Sequence, residues 1–106
     1  MTAPSKSQAL AILQQEAWIG DAVLELHARA WVLAQGAGLD AECKKRMTCN
    51  AFLNALGPPT EVEARIGRIY LQQGLEAAHA YVDEHLLPLF LKQEAKRKAR
   101  PGMGRR

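Results

Sequence analysis

Apolar residues recur every three or four positions along most of this chain, and strand-like alternation of apolar and polar residues is absent. That period predicts helices. Ser5-Lys6-Ser7-Gln8 has the form of a capping box and predicts a short helix over Ala9 to Gln15. Glu16 to Gln35 carries the strongest pattern. Ile19, Ala22, Val23, Leu26, Ala30 and Leu33 form its predicted apolar face, and Gly36-Ala37-Gly38 ends it. Asp40 is placed to cap a helix over Ala41 to Met47, and a second short helix is expected over Cys49 to Leu56. Gly57-Pro58-Pro59 is the clearest break. Thr60-Glu61-Val62-Glu63 then reads as another capping box, with Val62, Ile66, Ile69 and Tyr70 as the stripe behind it. After Gly74, Leu75 to Leu87 is predicted helical with Ala78, Val82 and Leu86 on one face, and a further helix runs from the neighbourhood of Pro88 into Lys96. The expectation is an all-α domain over residues 1–91.

Charge divides the chain unevenly. Residues 92–106 hold seven basic residues and one acid, which leaves a net charge of −3 on the rest of a chain whose formal total is +3. Pro101, Gly102 and Gly104 predict that this basic tail, 92–106, is disordered. A basic tail suits a phosphate-bearing partner, and equally a solubilising role. A second cluster, Lys44, Lys45 and Arg46, adds to it. The candidate nucleic-acid contacts are therefore Lys44, Lys45, Arg46, Lys96, Arg97, Lys98 and Arg100, against the plainer reading of solvated faces.

Cys43 and Cys49 are six residues apart, about 240° around and about 9 Å along one continuous helix, too far for a disulfide. Reduced thiols, no zinc spacing, no signal-peptide pattern and no membrane-length apolar run give the expectation of a cytoplasmic protein that does not enter membranes. His27, His79 and His85 make no metal spacing and are expected to be surface or partly buried helix residues. Trp18 and Trp31 are expected to pack in a core or at a subunit contact.

Gly20 and Gly67 interrupt helical patterns, each at a cost of about 1 kcal/mol relative to alanine. Such glycines are explained if two helices cross there with their backbones in contact. Asp21 follows Gly20, and Glu63 lies one turn before Gly67. A crossing at the glycines would bring the two carboxylates to one point, a plausible magnesium site. The plainer reading makes Asp21 an exposed helix acid and Glu63 a capping residue.

Ile19-Gly20-Asp21-Ala22-Val23-Leu24-Glu25-Leu26 resembles the signature of the ribonuclease III family, whose core is Leu-Gly-Asp-Ala-Val-Leu-Glu. Val62-Glu63-Ala64-Arg65-Ile66-Gly67-Arg68-Ile69-Tyr70-Leu71 is similar to that family's second motif, Phe-Glu-Ala-Leu-Ile-Gly-Ala-Ile-Tyr-Leu. Gly74-Leu75-Glu76-Ala77-Ala78 and His85-Leu86-Leu87-Pro88 continue the likeness, and Met47-Thr48-Cys49-Asn50-Ala51-Phe52-Leu53 resembles the family's Val-Ser-Asn-x-x-Leu block. The blocks stand in family order over most of residues 7–90.

The resemblance implies a compact helical endonuclease-domain fold, a homodimer, and magnesium- or manganese-dependent hydrolysis of structured or double-stranded RNA. With no double-stranded-RNA-binding domain following, it lies nearest the mini-ribonuclease III subgroup, which matures ribosomal RNA ends. The resemblance places the family's four metal-site acids at Ala17, Asp21, Thr60 and Glu63, so two of the four are present. Glu61, next to Thr60, is a further candidate. The spacer between the middle block and the second motif is cut to Asn54–Thr60, which shortens the wall of the implied RNA-binding valley. Three expectations follow: an endoribonuclease that uses Asp21 and Glu63; an inactive relative that binds RNA or the ribosome; and a helical protein-interaction module.

Overall fold

The computed structural model describes residues 3 and 5–99, and every regular element among them is α-helical. Six helices follow in order: α1 (Lys6–Ala34), α2 (Ala41–Thr48), α3 (Asn50–Leu53), α4 (Pro59–Gln73), α5 (Leu75–His85) and α6 (Leu87–Ala99).

The Ser5 capping box forms, with the hydroxyl accepting from the Gln8 amide at 3.1 Å and the Gln8 side chain returning to Ser5 N at 2.8 Å. It opens a single 29-residue helix, where the sequence predicts two. Gln14, Gln15 and Glu16 are good helix formers, and nothing between them stops propagation. Gly36, at φ +85°, ends the run as a left-handed residue beyond the cap. Asp40 caps α2 as expected, its carboxylate accepting from Cys43 N at 3.0 Å.

The buried face of α1 is not the predicted one. Ala17, Gly20, Val23, Leu24, His27, Ala28 and Val32 face inward, while Ala22, Leu26, Ala30 and Leu33 are exposed. The true face lies roughly a third of a turn from the predicted one. Apolar residues surround almost the whole of α1, so periodicity alone does not fix its orientation. Its small residues decide, because they let α4 come close. α1 packs more extensively on α4 than on any other element. The remaining core comes from Met47, Phe52, Leu53, Val62, Ile66, Ala78, Val82, Leu86 and Phe90. Leu24, Leu53 and Ile66 are among its most buried side chains, each contributing about 1.5–3 kcal/mol by leaving water. Ala78, Val82 and Leu86 are all buried, as their spacing predicts.

Two further differences bear on the site. α4 begins at Pro59 with Pro58 as its cap residue, and no side chain caps it. Proline at the first helical position needs no amide partner, so the Thr60–Glu63 capping box does not form. At the other end of the chain, residues 92–99 continue α6 rather than beginning a disordered tail. Phe90 anchors this helix in the core, edge-on to Trp31 and Phe52, and Glu94 ties it to Arg46 of α2 by two bonds of 2.9 and 3.0 Å. The outer part of the expected tail, 100–106, lies outside the described residues.

Candidate carboxylate site

α1 and α4 cross at the two glycines. A β-carbon built on Gly20 would fall on the carbonyl of Glu63 and 2.9 Å from Gly67 N. One built on Gly67 would fall on the carbonyl of Glu16 and 2.9 Å from Gly20 N. The contact is therefore reciprocal: each helix lays a carbonyl, four residues before its own glycine, against the glycine of the other. Only hydrogen at Cα permits this approach, which accounts for glycine in two helix interiors.

The crossing sets Asp21 and Glu63 side by side, within hydrogen-bonding reach of one another. Burial, then the Asp21 charge and its hydrogen bond, raise Glu63 from an ordinary 4.5 to about 7. Below that pH Glu63 is protonated and donates to Asp21. Among the described residues no cation pairs with either carboxyl. The two nearby arginines of α4 are used elsewhere, Arg68 on Glu16 at 2.9 Å and Arg65 on the Tyr81 hydroxyl at 3.3 Å. With its capping role removed, Glu63 has no local backbone task.

The pair opens into a depression of about 490 Å³, lined by Ala17, Trp18 and Asp21 of α1, by Thr60 and Glu63 of α4, and by Thr48, Cys49 and Asn50 opposite. Trp18 stands on its rim, 78% exposed, where the sequence suggests packing. Trp31 does pack, on Phe90. Glu61 is exposed and does not line the depression, since one residue along a helix turns the side chain by about 100°. Cys49 borders the same depression, but among the described residues no three Asp, Glu, His or Cys side chains stand close enough together to hold a metal ion.

The basic candidates separate into two groups. Lys44 is bound to Glu25 at 2.8 Å, and Arg46 and Arg97 both grip Glu94. Lys45, Lys96 and Lys98 are exposed and form no ion pair among the described residues. Arg100 lies outside the described residues.

Sequence reasoning missed one polar cluster. His27 is buried, donates from Nε2 to the Asp83 carboxylate at 2.7 Å, and meets the His79 ring edge-on at 5.1 Å. Burial, then His27, push the His79 imidazole below its ordinary value. The spacing of 52 residues between the two histidines offers no sequence signal, because only the packing of α5 on α1 joins them. Both cysteines are free, and no helix is long and apolar enough to cross a membrane among the described residues.

Comparison with protein-family models, with curated proteins and with solved structures yields no match.

Proposed function

We propose that this chain is a ribonuclease III-like domain acting on structured or double-stranded RNA, in a task such as ribosomal RNA processing, by magnesium- or manganese-dependent phosphodiester hydrolysis. The observation that carries the reading is the clustering of four positions. Ala17, Asp21, Thr60 and Glu63, the places where the resemblance puts the family's acids, all line one depression. Two adjacent carboxylates without a cation suit a divalent ion, which removes the need for the shared proton. Oxygen donors, the Thr60 hydroxyl beside them and an open approach for water fit magnesium, an ion that keeps several of its waters. When bound, such an ion stabilises negative charge on the departing oxygen. Asp21 and Glu63 would hold it. The Asn50 amide on the opposite wall is a donor for a phosphate oxygen, and exposed Trp18 bounds the rim.

A second reading is a catalytically inactive RNA-binding or ribosome-associated relative. That no three Asp, Glu, His or Cys side chains are grouped to hold an ion among the described residues favours it. One experiment separates the readings. Duplex RNA is incubated with the chain and magnesium or manganese, alongside Asp21→Asn. Cleavage that drops at least about 100-fold in the variant is expected of the enzyme. Salt-sensitive binding without cleavage leaves the inactive relative, and neither binding nor cleavage leaves a protein-interaction module.

We also infer a homodimer. The face of α1 turned away from the core carries Trp18, Leu26 and Leu33, which are 78%, 48% and 53% exposed. An aligned apolar stripe of this kind marks an association surface, and a second copy there would also wall the Trp18 side of the depression. Leu26→Glu is expected to shift sedimentation from dimer to monomer, with dissociation strengthened at least about 100-fold through burial of an unpaired charge. A wild-type chain that sediments as a monomer at high micromolar concentration removes the dimer.

A further inference from the structure

We propose that the groove between α3 and α6 is a second phosphate contact, taking the backbone of an RNA strand that leaves the carboxylate depression. This rests on the RNA reading above and adds a place and a direction to it.

Two concavities adjoin. The groove, about 230 Å³, is lined by Arg46, Cys49, Ala51, Gln93, Glu94 and Arg97 among others, and Cys49 also lines the carboxylate depression. α3 is the ridge between them: Asn50 faces the depression, Ala51 the groove, and Cys49 borders both. The two concavities share the Cys49 wall, so a strand with one phosphate at the carboxylates continues directly into the groove.

The chemistry in the groove suits a phosphate. Glu94, its side chain only 13% exposed, receives a fork from Arg46 at 2.9 and 3.0 Å and another from Arg97 at 3.3 and 3.1 Å. Burial works against the charged carboxyl, and the two arginines outweigh it and hold Glu94 below its ordinary range. One carboxylate between two guanidiniums leaves a net positive charge. Each guanidinium has five N–H donors and spends two of them on Glu94. The remaining donors match the planar, two-oxygen recognition that arginine gives phosphates. A clamp between α2 and α6 needs only Arg46; Arg97 sits on the same helix as Glu94 and joins nothing new. The surroundings carry the same excess, since α2 and α6 together hold seven cations and only two acids, Glu42 and Glu94. Glu94 thus holds two arginines aimed into the groove while cancelling one charge.

The test is duplex RNA binding by the full chain in EDTA, so that no strand is cut, with Arg97→Ala, Glu94→Gln and the charge-matched control Lys6→Ala. Arg97→Ala leaves the Arg46 fork on Glu94 intact, so its result does not depend on the folding of Glu94→Gln. It should weaken binding roughly three- to tenfold and reduce the salt dependence by about one phosphate contact. Lys6→Ala should stay within about twofold, and folded Glu94→Gln should bind as tightly as wild type or tighter, because both arginines gain free donors. Arg97→Ala no weaker than Lys6→Ala overturns the groove while leaving the RNA reading intact. So does a folded Glu94→Gln that weakens in step with Arg97→Ala. A wild-type chain that does not bind RNA overturns both.

Discussion

Gly67→Ala is expected to destabilise the fold severely, lowering its melting temperature by at least about 16 °C. The added methyl would fall on the carbonyl of Glu16, a main-chain atom inside a helix that cannot swing aside, with Gly20 N only 2.9 Å away. Relief requires α1 and α4 to separate across the largest helix contact in the molecule. Overpacking of flexible cores costs about 1–3 kcal/mol, and a clash between two rigid backbones exceeds that range. A loss of about 4 kcal/mol or more is therefore expected, against total stabilities of about 5–15 kcal/mol for natural domains. For a domain of this size each kcal/mol shifts the melting temperature by about 4–8 °C, so thermal melts followed by circular dichroism should fall by at least about 16 °C. Gly20→Ala should behave alike. Gly36→Ala is the contrast: its φ of +85° carries strain, but no atom lies within 4 Å, and the cost should be about 1 kcal/mol. A Gly67→Ala melt within a few degrees of wild type would refute the crossing.

Glu63→Gln is expected to stabilise the metal-free chain at pH 8 while removing its response to magnesium. The folded chain keeps a proton on Glu63 up to about pH 7, whereas the unfolded chain releases it near 4.5. A folded value raised in this way contributes stability that is fully present below about 4.5 and is lost as pH rises through about 7. Above 7 two adjacent negative charges remain, and the amide removes one of them. After discounting for solvent screening at a partly exposed site, the gain at pH 8 is about 1–2 kcal/mol. His79 acts in the opposite direction. Its lowered value makes stability fall as pH drops below about 6.5. The informative quantity is therefore the difference between variant and wild-type urea midpoints at pH 5.5 and pH 8. With wild type, magnesium should raise the melting temperature at pH 8 by mass action. Glu63→Gln should abolish that rise. An unchanged midpoint difference across this pH range would mean that the carboxylates do not interact.

The parts of this architecture that were legible in the sequence are those set by local rules or by exceptions to them. Ser5 and Asp40 cap helices because hydroxyl and carboxylate oxygens satisfy first-turn amides, and the order of residues states this directly. Gly20 and Gly67 were informative because they violate helix propensity, which pointed to the crossing and to Asp21 and Glu63 beside it. What escaped was decided by three-dimensional packing. The orientation of α1 was hidden because Leu26 and Leu33 look like core residues and Ala17 and Ala28 do not, yet small residues won the close contact. The His27–His79 pair is assembled from helices distant in sequence. The basic cluster at Lys44–Arg46 reads as free charge until Glu25 and Glu94 are brought to it. Glu63 resembles a cap because Thr60 stands three residues earlier, and Pro59 starts the helix too soon for that role.

The reciprocal glycine contact makes the acid pair a property of the main chain. Glu63 supplies the carbonyl that rests on Gly20 and, from the same residue, one of the two carboxyls; Asp21 is fixed by its peptide bond to Gly20. The segments 16–21 and 63–67 therefore form a portable unit. Grafted onto another pair of helices held at the same crossing, they would set the paired acids side by side there as well.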